Sequence, residues 1–149
     1  MESWKSELHA DPTEWLLEKN NPSVRYFALR DLLEKPKTNS EVREVKQDIM
    51  KTGVVPAILI KQRKEGYWDE PGRFYEAKYK GTVWQLMILA ELGADGNDDR
   101  IQKACKFILS FSQDLESGGF AHSSSAKKGG GRHSEVIPCL TGNMVWSLI

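Results

Sequence analysis

Two stretches decide the fold: Ile58-Leu59-Ile60-Lys61-Gln62-Arg63-Lys64-Glu65-Gly66-Tyr67-Trp68 and Phe107-Ile108-Leu109-Ser110-Phe111-Ser112-Gln113-Asp114-Leu115-Glu116-Ser117-Gly118-Gly119-Phe120. Each runs from an apolar helix end through a Gln, a short polar turn and a Gly to an aromatic residue. Gln62 and Gln113 are 51 residues apart, and Trp68 and Phe120 are 52 apart. Self-similarity at a fixed interval is the mark of an internal repeat. A Gln amide at a helix end can satisfy backbone groups left without partners there. Gly66 and Gly118 let the chain turn sharply. The aromatic then covers the helix end. Two ordinary helix–turn–helix connections, each with one aromatic, are the plainer alternative.

Both copies lead into similar apolar helices. Gly81-Thr82-Val83-Trp84-Gln85-Leu86 opens the first, and Gly142-Asn143-Met144-Val145-Trp146-Ser147-Leu148 lies in the second. The spacing predicts a helix over 82–92 in which only Thr82, Gln85 and Glu91 are polar. A helix that is apolar nearly all round is buried nearly all round. Gly93 ends it, and Asp98 or Asp99 caps the next, an amphipathic helix through about Ser112. A polar, Gly-rich loop follows over 113–134, and a last apolar helix runs from near Val136 to Ile149. Alternating apolar and amphipathic helices predict two helical layers, the apolar ones inside.

Upstream the punctuation is also helical. Asp11-Pro12 pairs an N-cap with Pro at the first helical position, and Asn20-Asn21-Pro22-Ser23 repeats the device. Val24, Phe27, Ala28 and Leu32 then form one helical stripe, widened by Tyr26, Leu29 and Leu33, until Pro36 ends it. Asn39 or Ser40 caps a third helix carrying Val42, Val45 and Ile49, with Gly53 at its C-terminal end. Pro56 opens a short fourth helix over 55–62.

At 149 residues the chain matches one modest domain. Lys plus Arg and Asp plus Glu number 21 each, so no net field holds the chain on nucleic acid or an anionic membrane. No apolar run reaches the ~18 residues of a membrane span. Met1-Glu2-Ser3-Trp4-Lys5 is not a signal-peptide start, and two cysteines make no disulfide scaffold. A cytoplasmic location is expected.

The run Asn21-Pro22-Ser23-Val24-Arg25-Tyr26-Phe27-Ala28-Leu29 resembles a HEAT-like repeat. The Gln62–Gly66–Trp68 and Gln113–Gly118–Phe120 segments resemble the QW repeats of the terpenoid cyclase and protein prenyltransferase superfamily, which includes squalene-cyclase-like proteins. That likeness covers 54–149 and implies an all-α chain: a HEAT-like helical segment over 1–53, then an incomplete α/α toroid of two hairpins. It implies a piece of a longer toroid that meets its remainder, or a second copy, through 136–149. It also implies a hydrophobic isoprenoid-type ligand. A helical scaffold for protein–protein contacts, and an isoprenoid cyclase or prenyltransferase whose catalytic residues lie beyond 149, are the other readings.

No catalytic set can be carried over from that family. Its cyclases use an Asp-x-Asp-Asp acid; Asp95-Gly96-Asn97-Asp98-Asp99 has one residue too many and reads as a helix cap. Its prenyltransferases hold zinc through Asp, Cys and His. Here His133 and Cys139 stand six apart with no second pair, so no metal or cofactor is expected, and Cys105 and Cys139 read as core thiols. Lys127-Lys128-Gly129-Gly130-Gly131-Arg132-His133 is either a flexible exposed loop or an anion site in which free glycine amides act beside Lys127, Lys128, Arg132 and His133. Tyr75, Tyr79, Trp84 and Trp146 either pack or line a ligand cavity. His9 and His122 have no partner at a telling spacing.

Overall fold

Among residues 3–149, which the computed structural model describes, every regular element is helical, and the β pairing consists of isolated antiparallel bridges. No helix among them is long and apolar enough to cross a membrane. The chain divides into two compact units, the first ending at Ala57 and the second spanning Ile58–Ile149.

The first unit holds a 3-10 turn at Ser3–Glu7, α1 (Thr13–Leu16), α2 (Pro22–Phe27) and α3 (Ser40–Asp48). The Asp11 carboxylate accepts the Thr13 amide at 2.9 Å, and Asn39 caps α3 by accepting from Glu41 N and Val42 N. Asn21 occupies the N-cap position of α2 without a side-chain bond; Pro22 sets the start instead. The buried stripe is rotated from the expected one. Pro22, Tyr26 and Leu29 face inward with Ala28, whereas Val24 and Leu32 are exposed. A π-helical turn at Ala28–Leu32, closed by Leu33 N to Ala28 O at 2.9 Å, adds a residue and shifts Leu32 round, whereas Val24 is already exposed in the α-helical part before it. Cations over the Tyr26 ring, Arg30 at 5.2 Å and Lys46 at 5.1 Å, fit its inward position. Glu41 on α3 binds Arg25 at 2.8 Å and Lys35 at 2.6 Å, which ties α2 to α3.

A short helix, α4 (Val54–Leu59), leads into the second unit, which contains α5 (Thr82–Glu91), α6 (Asp99–Phe111) and α7 (Pro138–Leu148). α5 packs on both α6 and α7. It buries Val83, Leu86 and Leu89, and none of its residues before Glu91 is exposed. α6 buries Ile101, Ala104, Phe107 and Ile108 and keeps Lys103 and Lys106 in solvent, as its pattern predicts. α7 is as apolar as α5 yet buries only Leu140 and Met144. Val145 and Trp146 are exposed, the indole at 69% with its Nε1 donating to Glu91 on α5. α7 starts at Pro138 rather than near Val136, because Val136 is paired with Ala121 in a bridge.

The two repeat connections share one hydrogen-bond scheme. Arg63 N donates to Tyr67 O, and Asp114 N donates to Gly119 O, both at 2.8 Å. Gly66 N returns to Arg63 O, and Gly118 N returns to Asp114 O, both at 2.9 Å. Both glycines have positive φ, +97° and +76°, the left-handed region that glycine enters without penalty. The amide of each aromatic then donates to a threonine hydroxyl on the next helix: Trp68 to Thr82 at 3.1 Å, Phe120 to Thr141 at 2.9 Å. Trp68 and Phe120 are both buried. Correspondence therefore runs through Thr82 and Thr141, not Gly81 and Gly142. A Cβ on Gly81 would lie 2.5 Å from Phe74 O, whereas Gly142 stands in open space. The glutamines differ too. Gln62 Nε2 donates to Gly66 O and Arg100 O, while Gln113 takes part through its backbone, opposite Phe120 in a bridge.

Thr82 is wholly buried, so Thr82→Val strands the Trp68 amide and is expected to cost about 1–3 kcal/mol. Thr141 is only half-buried, so Thr141→Val costs less. Urea unfolding checks both, as a lowered midpoint at unchanged slope; unmoved midpoints would show that these bonds contribute nothing.

Candidate functional site

The Gly-rich segment after α6 is folded tightly against the helix end. Ser112 is buried and its hydroxyl donates to Ala121 O at 2.7 Å. Bridges join Gln113 to Phe120, Ser124 to Gly131 and Ala121 to Val136. Gly131 passes so close that a Cβ would lie 2.2 Å from Ser112 O, a position only glycine can fill.

This packing creates a cleft of ≈ 520 Å³ whose walls include Asp114, Glu116, Ser125, Lys128, Arg132 and His133. Asp114 is buried, and its Oδ2 accepts from Ser117 N at 2.8 Å, Ser117 Oγ at 2.6 Å and His133 Nδ1 at 2.8 Å. The Ser117 hydroxyl, then His133, hold the Asp114 carboxyl well below the usual carboxylate range. The same bond to Asp114, with the nearby Glu116 charge, pushes His133 above the ordinary imidazole value. It also places the His133 proton on Nδ1 and leaves Nε2 available on a largely exposed ring.

Of the basic residues singled out in the sequence, Lys128, Arg132 and His133 line this cleft; Lys127 does not. The glycine amides are not free to cradle an anion. Lys128 N donates to Ser125 Oγ, Gly129 N to Ser125 O, Gly130 N to Ser110 O, Gly131 N to Gln113 O and Arg132 N to Ser123 O. The Arg132 guanidinium binds Glu135 at 2.6 Å, and Glu116 comes within 3.9 Å of His133. Positive charge in the cleft is thus largely balanced. The amides of Lys128 to Arg132 are spent on the segment's own folding.

Tyr75, Tyr79 and Trp84 do come together. The Trp84 ring lies 5.5 Å from Tyr75 and 5.7 Å from Tyr79, and Trp84 Nε1 donates to Tyr75 O at 2.7 Å. His122, for which spacing suggested no partner, stands 6.0 Å from the Tyr75 ring and 3.5 Å from Glu135 Oε2. Glu135 also accepts from the Ser123 hydroxyl. The pairing was hidden because the bridge between Ala121 and Val136 joins residues well separated in sequence. Trp146 lies apart from this cluster, against Glu91.

Cys139 is exposed at the start of α7 and is not a core thiol. Cys105 is half-buried, and burial pushes its thiol up. Asp98 accepts from Arg100 N and caps α6, while Asp95 accepts from Asn97 N in the turn before it. Among the described residues, no three His, Cys, Asp or Glu side chains gather as a metal site. Comparison of the chain with protein-family models, curated proteins and solved structures returns no match.

The Asp114–His133 pair has a defined pH signature. Because the His133 value is raised on folding, the pair's stabilisation is full below about pH 6.5 and is lost as pH rises through the folded value. Asp114 is lowered, so its stabilisation is present above about pH 4 and is lost as pH falls below that. Asp114→Asn is expected to return the His133 midpoint toward about 6.5, followed by NMR of the imidazole protons. An unmoved midpoint would contradict the pairing.

Proposed function

We propose that Ile58–Ile149 is a pair of hairpins of the α/α-toroid kind, similar to squalene-cyclase and prenyltransferase proteins, preceded by a HEAT-like helical segment, and that it works as an assembly module rather than through a catalytic set of its own. The observation that carries this reading is the contrast between α5 and α7. The two helices are almost equally apolar, yet α5, flanked by α6 and α7, exposes nothing before Glu91, while α7 leaves Val145 and Trp146 in solvent. Repeating the step that places α6 and α7 on α5 would place a further hairpin on the bare side of α7. The matching connections at Trp68 and Phe120 support such a repeated step. Of the acids nearest to a cyclase motif, Asp98 is spent on capping α6 and Asp95 on the turn before it, which favours assembly over chemistry.

The occupant is a helical hairpin of the same type, which a second copy can supply in the isolated chain. Each apolar side chain so covered is worth ~1.5–3 kcal/mol, enough for weak association. Multi-angle light scattering of the full chain is expected to show mass rising with concentration. Trp146→Lys should hold the chain monomeric while its circular dichroism stays unchanged. A monomer at every concentration, with α7 fully helical, would overturn the reading.

A further inference from the structure

A second recess in the Ile58–Ile149 unit is built differently from the His133 cleft. Its volume is ≈ 330 Å³, and Lys61 and Lys80 both line it. Both lysines are exposed, and among the described residues neither has a carboxylate within 4.0 Å. A lone surface lysine means little, but two lysines against the single carboxylate of the lining, Asp69, leave the recess with a formal charge of +1. The one acidic residue of the lining, Asp69, lies 3.9 Å from Arg73.

The rest of the wall is Ile58, Trp68, Tyr79 and Gln85. Trp68 is buried, with its indole N–H fixed to Ile58 O at 2.9 Å. Tyr79 is 71% exposed, an unusual state for a ring that touches Trp84. Its backbone is left-handed, φ +64°, and its carbonyl is gripped by Gln85 Nε2. Asp69 is left-handed as well, φ +61°. Asp enters this region readily, whereas a Tyr there is uncommon, and such positions gather at ligand clamps. Both left-handed non-glycine residues described in this unit line the same recess.

We propose that this recess binds a phosphate monoester carried on a flat aromatic body, an aryl or nucleoside phosphate. Two ammonium groups match a dianion better than a carboxylate, and a phosphate monoester carries about −1.5 to −2 at neutral pH. The exposed Tyr79 ring offers a stacking face. The volume sits at the small end of ligand sites, ~300–1,000 Å³, which suits one ring system and a phosphate rather than a long chain. The site does not depend on whether α7 docks another hairpin.

Titration of the full chain, followed by tryptophan fluorescence and calorimetry, tests it. The probes are phenyl phosphate, adenosine monophosphate, inorganic phosphate and farnesyl diphosphate. The two aromatic phosphates are expected to bind about tenfold more tightly than inorganic phosphate, and the tighter of the two identifies the source. Lys61→Met and Lys80→Met should each weaken binding about tenfold and flatten its salt dependence, with the melting temperature unchanged as the folding control. Tyr79→Asn removes the ring but tolerates the left-handed backbone; it should reduce the aromatic phosphates to the affinity of inorganic phosphate. Absence of saturable binding, binding indifferent to both lysine variants, or farnesyl diphosphate binding more tightly than either aromatic phosphate would overturn the proposal.

Discussion

Trp68 is where the second unit is pinned. Its amide donates to the buried Thr82 hydroxyl at the start of α5, and its indole N–H donates to Ile58 O near the end of α4. Six residues earlier, Gln62 reaches both the turn at Gly66 O and the first turn of α6 at Arg100 O. A turn of seven residues thus fixes one helix end and two helix starts. Buried polar groups carry a large penalty when left unpaired, so these bonds constrain geometry more than they add net stability. The order α4–turn–α5–α6 follows from satisfying them.

The parts of this arrangement with a short-range signature were legible in the sequence. Gly66 and Gly118 announce their turns, Asn39 and Asp98 announce their helices, and the period of α6 reports its buried face. What misled was tertiary. An unbroken α-helical period puts Leu32 on the stripe of Ala28, and the π-turn at Ala28–Leu32 takes it off, while Val24 is exposed ahead of that turn. The apolar surface that α7 exposes at Val145 and Trp146 was, by contrast, expected of 136–149, since hydropathy reports what a helix could bury, not what neighbours it has. The Thr82 and Thr141 hydroxyls escaped notice because a lone threonine at a helix start looks like a cap.

The candidate sites divide along the same line. Clustering of Lys128, Arg132 and His133 follows from their adjacency in sequence. The acid that organises them, Asp114, comes from the other side of the Gly118 turn. Likewise Lys61 and Lys80 line one recess only because the chain between them doubles back through Trp68 and Tyr79. Residues with weak local signals become chemically interesting when the fold juxtaposes them, and composition carries no record of that.

The segment 123–132 is rich in Ser, Lys and Gly, a composition associated with disordered linkers. Its amides are nonetheless committed to Ser110, Gln113, Ser123 and Ser125, and Gly131 is pressed against Ser112. A protease needs an extended stretch of about ten residues, which here requires detaching the segment from the end of α6. The exposed Lys127 and Lys128 should therefore resist trypsin on the timescale of local unfolding rather than of loop motion. The apparent linker is hydrogen-bonded to the end of the helix it closes, through Gly130 N to Ser110 O and Gly131 N to Gln113 O.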